Sequence, residues 1–337
     1  NPKKNKYLWI GIVFGGHEFT SFGQAYLNDT EMDADRYTKN NSVQYHEYYL
    51  GTETQTADAA LLVDFPELDS NFRLLGLAHG LFKFKYQIDP PIWINGIPNI
   101  SVIAQGRKVA DPRNSWTASY STNSALCLAD YLMSDFGLRV PQAKIDEASL
   151  IAAANICDES VPLKGGGTQA RYTTNGMFNR GDKPIDVVEQ LKAAMVGEVV
   201  YSKGIYYIHA GAYQAPALHL DESYLTGPVT IETRTSGADS WNAVRGRYTT
   251  DQPPDDDAGS MPTFLNTDFV PQISDQYIVD DNSVIPLWRD LGLPYTTDPI
   301  RAQRIAHIWL ERGRMQREIT FPANVMGIAA EAWQTCT

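Results

Sequence analysis

The chain has 337 residues, of which 43% are hydrophobic and 20% are charged, so a low-complexity or disordered chain is excluded. The formal net charge is −12 at pH 7, which argues against nucleic acid and against anionic membrane surfaces as partners. No apolar stretch approaches the roughly 18–20 residues that a membrane span needs, so we expect no membrane insertion.

Residues 1–115 have mainly the pattern of β-strands. Tyr7–Phe14 is rich in β-forming residues and is followed by two glycines. In Gly80–Ile88, aromatic residues alternate with leucine and lysine. Further elements are predicted in chain order: a strand at Ser42–Tyr49, a short helix near Ala57–Leu62, a break at Pro90-Pro91, a hairpin turn at Asn95-Gly96, and a strand at Ile100–Val109. We therefore predict a β-rich domain over 1–115.

Residues 116–213 show helical spacing instead. The first helix has its apolar stripe at Ala125, Leu128, Ala129, Leu132 and Phe136, with Thr122 or Asn123 as the cap and Gly137 as the stop. A second helix starts at Asp146, with Ile145 and Leu150 placed as a hydrophobic staple. A third follows Asp182, with Pro184 in its first turn and Ile185, Val188, Leu191 and Met195 facing inward. A hairpin over 198–210 completes a predicted α+β domain.

Residues 214–337 return to strands. Val229–Arg234 alternates in polarity, and we expect Asn242–Tyr248 to pair with it. Asp298-Pro299 is a cap and first-turn pair for a helix with Ala302, Ile305, Ala306 and Trp309 inward and Gly313 at its end. The predicted class is therefore α+β, with β-rich domains at 1–115 and 214–337 on either side of an α+β domain at 116–213.

A search for catalytic and metal-binding patterns nominates no residue. The histidines are scattered, at His17, His46, His79, His209, His219 and His307. We interpret His17-Glu18 as a surface turn and His209 as a half-buried strand residue. Asp251–Asp257 lacks the order of a calcium loop, and a solvated acidic loop is favoured there, although an ion site is left open. Gly165–Gly167 lacks the residues of a phosphate loop and indicates a connector.

The cysteines predict buried thiols. Cys127, Cys157 and Cys336 are odd in number, and their spacing matches neither a zinc site nor a redox pair. We therefore expect free thiols and folding in a reducing compartment. The chain begins at Asn1 without a methionine or signal peptide and ends at Thr337, so we expect it to be part of a longer protein.

Several segments occur in an order that is known from one family. They are Gly106–Val109, Asp111–Arg113, Tyr120–Leu126, Asp130–Leu132 and Phe136–Leu138. This order resembles a run in the tail-tip hub proteins of long-tailed bacteriophages and related prophages, the lambda-type tip-attachment or host-specificity family. The departures are Ala110 in place of an aromatic residue, Ser124 in place of proline and Phe136 in place of tyrosine.

Further segments are similar to the same family in the same order downstream. They are Ile145-Asp146, Ala152–Asn155, Arg171–Thr173, Gly197–Tyr201, Gly204–Tyr213, Asn242–Tyr248, Ala302–Arg304 and Leu310–Arg312. The resemblance implies that Gly106 and Gly137 occupy tight backbone positions and that Asn242 and Arg245 hold a strand connection. It transfers no catalytic, cofactor-binding or metal-binding residue.

The resemblance implies a structural protein, not an enzyme. A homotrimer would form a hub, in which β-barrel domains related to the tail-tube fold flank the α+β domain and close the tail tube. The implied location is the tail tip of the virion, after assembly in the bacterial cytoplasm. Its implied neighbours are other tail-tip and tail-tube proteins, with the host envelope contacted only indirectly and without sequence-specific binding of nucleic acid.

Two other functions stay open at this point. A tail-associated hydrolase of cell-wall glycan or peptide requires convergent carboxylates or a metal site, and 40 acidic residues always permit a carboxylate pair. A carbohydrate-binding or receptor-binding module requires exposed aromatic residues clustered on one face. For a hub, the excess of acidic over basic residues predicts an inner surface that repels the DNA genome as it moves through the tail.

Overall fold

A computed structural model of the chain describes residues 6–38, 42–86, 96–213, 215–216, 218–233, 240–250, 266–281, 283–315, 317–325, 327, 330 and 335. The described residues form two compact units. The first contains those up to Val109 together with Ala118–Tyr120, and the second contains Ala110–Thr117 and those from Ser121 onward. The predicted boundary between 116–213 and 214–337 lies within the second unit and stays a prediction.

The first unit is built mainly of antiparallel strands. Its elements are β1 (Tyr7–Gly15), β2 (Ser21–Leu27), β3 (Thr30–Glu31), α1 (Asp35–Thr38), β4 (Val43–Tyr49), α2 (Ala59–Asp64), β5 (Ala78–Lys85) and β6 (Ile100–Gln105). One sheet has the order β1-β5-β4 and the other β3-β2-β6. A separate two-stranded sheet joins β7 (Lys108–Asp111) to β8 (Thr117–Tyr120).

The core of the first unit lies where residues from both sheets meet. Phe82 and Phe84 of β5 are buried on one face of the β1-β5-β4 sheet. Their partners across the ladder are alternate residues of β1. Both phenylalanines pack with Leu27 of β2 and with Tyr37, whose hydroxyl donates to the Leu27 carbonyl at 2.9 Å. The predicted alternation therefore holds for Phe82 and Phe84, which enter this core, whereas Tyr86 is 60% exposed and Leu81 of the alternate set is buried as well.

The sheets of this unit are open, which differs from the predicted barrels. Each has three strands among the described residues, and neither closes on itself. A closed barrel requires more strands, with a consistent tilt and stagger around the ring. The observed class is α+β with several small sheets, and the barrel feature is absent from the part of the chain that the structure describes.

The second unit mixes helices with short strands. Its elements up to the hairpin are α3 (Ser124–Met133), α4 (Glu147–Asp158), β9 (Ser160–Pro162), β10 (Thr168–Ala170), α5 (Pro184–Ala193), β11 (Glu198–Ser202) and β12 (Ile205–His209). Its later elements are β13 (Thr230–Glu232), β14 (Ala243–Thr249), β15 (Asn266–Asp268), β16 (Gln272–Ile273), α6 (Asp275–Asp280), β17 (Trp288–Leu293), α7 (Pro299–Arg312) and β18 (Glu318–Thr320). Of the helices described in the chain, none combines the length and hydrophobicity needed to cross a bilayer.

The capping residues place the helices as the sequence predicts. The Asn123 side chain accepts from the Ala125 and Leu126 amides at the start of α3, and Asp146 accepts from the Ser149 amide in α4. Asp298 does the same for α7. Each cap satisfies amides that have no partner within the helix, and so fixes where the helix begins.

Three local predictions are wrong. Helix α3 ends at Met133, before Gly137, because the Ser134 hydroxyl and the chain after it form the terminal turn. In α5, Ile185 is 59% exposed and Val187 is buried instead, because the inward face of the helix runs through 187, 188 and 191 and Ile185 lies outside it. Strand β13 pairs with β18, not with β14.

Strand β14 is the centre of the largest sheet. It pairs in parallel with β17 on one side and antiparallel with β15 and β16 on the other. Val244 and Leu293 are buried on the face that α7 covers, and Ile305 of α7 is fully buried. This sheet and α7 therefore pack together into one core.

Candidate functional site

The histidines and acidic residues considered for chemistry do not converge. Glu18 accepts from the Lys108 ammonium at 2.8 Å, as expected for the surface turn at His17-Glu18. His209 ends β12 as a half-buried residue opposite Glu198. Within the described ranges, no group of three or more His, Cys, Asp or Glu side chains is placed to hold a metal ion. The loop at Asp251–Asp257 lies outside the described residues.

The glycine predictions have mixed outcomes. Gly166 and Gly167 have φ of 92° and 79° in the loop between β9 and β10, so the connector is confirmed. A Cβ atom on Gly137 would lie 1.8 Å from the Tyr131 carbonyl oxygen, which confirms a tight backbone position. A Cβ atom on Gly106 would meet nothing within 4 Å, so the expectation that this glycine is tightly held is wrong.

The two described cysteines are free, as predicted. Cys157 is fully buried and Cys127 is partly buried. Burial raises the pKa of each thiol to about 12. Because the thiolate is the nucleophilic form, neither sulfur is reactive near neutral pH. Cys336 lies outside the described residues.

The Asp111-Pro112-Arg113 motif joins a turn to a helix. The Asp111 carboxylate caps this turn by accepting from the Arg113 amide at 2.9 Å. The Arg113 guanidinium also binds Asp111, and it reaches Asn155 and Asp158 at the end of α4 at 3.1 and 2.9 Å. The hydrogen bonds from Arg113 lower the pKa of Asp111. This motif therefore has a structural role within the second unit.

Asn242 also holds a strand connection, as the resemblance implies. Its Oδ1 accepts from the Leu287 amide at 2.7 Å, and its Nδ2 donates to Asp281 at 3.1 Å. Arg245 is different because it lies on the exposed face of the sheet. It pairs there with Asp290 at 2.8 Å and lies over the Trp288 ring.

An arginine between two tryptophans connects the largest sheet to α7. The Arg289 guanidinium lies 4.2 Å from the ring centres of both Trp241 and Trp309. The Trp241 indole also donates to the Trp309 carbonyl at 3.0 Å. Burial lowers the pKa of Arg289, which remains charged at neutral pH because the ordinary value is far higher. The cation and the rings attract each other through the ring quadrupoles.

The first unit carries an apolar cavity of about 350 Å³. It lies between the outer face of the β1-β5-β4 sheet and the segment that follows α2. Its lining includes Trp9, Leu61, Phe65, Phe72 and Leu74, and we call it the aromatic groove. Phe72 is 40% exposed, so the groove has an accessible apolar rim. Such a groove can take up an apolar side chain.

Polar contacts hold one side of the aromatic groove. The Trp9 indole donates to Asp64 at 2.8 Å, and the Lys83 ammonium binds the same carboxylate. These two hydrogen bonds lower the pKa of Asp64. Lys83 also lies 5.4 Å from the Trp9 ring centre. The arrangement fixes the indole at the wall of the groove.

A buried aspartate anchors α2 above the sheet. Asp58 is 3% exposed, and it caps α2 through the Leu61 amide at 2.6 Å. It also accepts from the hydroxyls of Tyr45 and Tyr49. Burial, followed by the hydrogen bond to Asp58, raises the pKa of both tyrosines. The Asp58 contacts therefore join the start of α2 to β4.

Sequence reasoning missed the aromatic groove and the Arg289 stack. Trp9 is far in sequence from Phe65 and Phe72, and each of the three is an ordinary core candidate by composition. The one sequence signal is Asp58, which stands before an apolar run and matches an N-cap. It predicts the start of α2 but not what the helix covers.

The protein-family models contain no match to this chain. A chain in the solved virion of a native gene transfer agent (GTA) particle is similar in fold, with a TM-score of 0.54 at 18% sequence identity. The similarity covers 94% of this chain and 68% of that chain. At this identity the likeness shows a shared fold, and it extends over both compact units.

Proposed function

We propose that the chain is a structural component of a phage-like virion. The observation that carries the proposal is the fold likeness over 94% of the chain to a protein of a gene transfer agent virion. The collinear segments from Gly106 to Arg312 that resemble tail-tip hub proteins support the same assignment independently. The described contacts of Arg113 and Asn242, which belong to those segments, are structural ones.

The finer assignment is the hub of the tail tip. In this proposal three copies form a ring that closes the tail tube, with tube-like β domains completed in the assembly. Neighbouring copies would supply the strands that a closed wall requires, because each described sheet of the first unit is open. The partners are then other tail-tip and tail-tube proteins, and the location is the virion.

The proposal assigns no catalytic role. One of its two alternatives, beside a carbohydrate-binding or receptor-binding module, is a wall hydrolase, which the purified chain would reveal by clearing a suspension of bacterial cell walls. We expect no clearing. A loss of turbidity that follows the dose of the chain would contradict the structural assignment.

Density-gradient purification of particles from the source cells tests the proposal. We expect the chain to sediment with the particles and to stay with them after nuclease and high-salt washes. Recovery of the whole amount as free protein at the top of the gradient would contradict it. Chemical crosslinking within the particles tests the ring, for which a trimer is expected as the largest self-linked product.

A further inference from the structure

An exposed two-stranded arm extends along the end of the second unit. Residues 224–232 run antiparallel to residues 318–324, and we call this pair the exposed arm. The Asn324 amide donates to the Tyr224 carbonyl at 2.8 Å, and the Thr226 amide donates to the Pro322 carbonyl at 3.0 Å. Strands β13 and β18 continue the pairing. The arm joins segments that are about ninety residues apart in the sequence.

The tip of the exposed arm has two different faces. Ile231 and Ile319 are directly opposite, so they share one face, where they are 58% and 56% exposed. Glu232 and Glu318 are also directly opposite, and they share the other face. All residues of β13 and β18 are exposed.

This geometry is unfavourable for a ribbon in water. A two-stranded ribbon alone is at best marginally stable, and like charges directly opposite each other repel. The ion pairs formed within the described ranges include neither Glu232 nor Glu318. Both outer edges of the ribbon lack a strand partner among the described residues.

We propose that the exposed arm receives a strand from a different protein of the particle, with apolar side chains alternating with lysine or arginine. Such a strand, added at the free edge of β13, places its apolar residues beside Ile231, on the face that Ile319 shares, and its basic residues beside Glu232, on the face that Glu318 shares, because side chains alternate along a strand. Charge complementarity selects this partner over a second copy. Pairing of two identical arms would bring four glutamates together, and the chain has 28 basic against 40 acidic residues. This inference rests on the proposed function.

Charge reversal separates assembly from folding. In Glu232→Lys the new lysine faces Glu318 across the ribbon, so we expect the isolated chain to be as stable as wild type or more so. The same change repels a basic partner, and we expect about tenfold less of the chain in purified particles. Glu232→Gln should give an intermediate loss. Glu67→Lys, at an exposed glutamate of the first unit, is the matched control and should enter particles as wild type does.

The outcomes distinguish the two proposals. If Glu232→Lys enters particles at the wild-type level, the partner proposal is overturned and the proposed function stands. If the wild-type chain is absent from particles, both fall. A drop for Glu232→Lys together with an equal drop for Glu67→Lys also overturns the partner proposal, because the effect is then one of overall charge.

A photo-crosslinking residue identifies the partner. p-Benzoylphenylalanine in place of Ile231 should, in purified particles, link to a peptide of another protein that carries alternating basic residues. The same residue in place of Val63, which is 78% exposed in the first unit, should not link to that peptide. A link to another copy of the chain, a link to a peptide without basic residues, or no link at all would overturn the proposal.

Discussion

Gly246 occupies a position in the largest sheet that has no room for a side chain. A Cβ atom there would lie 1.8 Å from the Leu291 carbonyl oxygen of the neighbouring parallel strand. Gly292 lies in that neighbouring strand, opposite Arg247, and a Cβ atom on it would meet nothing within 4 Å. Both glycines are strand residues, but only at Gly246 is there no room for a side chain.

We expect Gly246→Ala to destabilise the chain by about 3 kcal/mol, because backbone must move to admit the methyl group. Gly292→Ala should change the free energy of unfolding by less than about 0.5 kcal/mol. Chemical denaturation of both variants measures the difference. Equal midpoints would mean that β14 and β17 are not packed as described.

Asp111 makes a pH-dependent contribution at the same scale. Arg113 lowers the pKa of this carboxyl group below its ordinary value of 3.8. A lowered pKa in the folded state gives stability that is present above the unfolded value and lost as pH falls through the folded one. The contribution of Asp111 is therefore complete at neutral pH, begins to decrease near pH 4 and is lost as the pH falls through the lower pKa of the folded state.

We expect Asp111→Asn to lower the thermal midpoint at pH 7 and to make the fall in stability below pH 4 less steep. Asp135→Asn is the control, because Asp135 forms a similar pair with Arg139 but is 94% exposed in its side chain. An exposed pair contributes little, so this variant should keep the thermal midpoint of wild type at pH 7. Parallel pH profiles for Asp111→Asn and wild type would contradict the assigned role.

At the scale of elements, the Arg289 stack connects the largest sheet to α7. Lysine keeps the charge but not the flat guanidinium that lies against both rings. We expect Arg289→Lys to destabilise the chain by about 1–2 kcal/mol. Arg245→Lys, at the exposed Trp288 contact, should cost about 0.5 kcal/mol or less. Denaturation that ranks the two variants in the reverse order would show that Arg289 does not hold the helix to the sheet.

Elements with a local signal could be predicted from the sequence. Asn123, Asp146 and Asp298 act as caps with their own neighbours, and the hairpin at 198–210 needs only its turn and its alternation. The pairing of β13 with β18 could not be predicted, because its partners are distant in sequence and each strand has three residues. The aromatic groove was missed for the same reason.

Across the whole molecule, the strand edges bear on assembly. The exposed arm and the open sheets of the first unit leave strand edges that are unpaired within the described residues. A protein that works in a particle covers such edges with its neighbours, whereas a monomer must protect them against aggregation. In the proposed function, neighbouring proteins of the particle cover these edges.

Electron microscopy of particles from the source cells, labelled with gold-conjugated antibody against this chain, distinguishes a component of the virion from a free protein. We expect label on particles, concentrated at the distal end of the tail. Label at another place on the particles would agree with the assignment as a virion component but would contradict the assignment as the tail-tip hub. Particles without label, from cells in which the chain is abundant as free protein, would contradict the virion assignment itself.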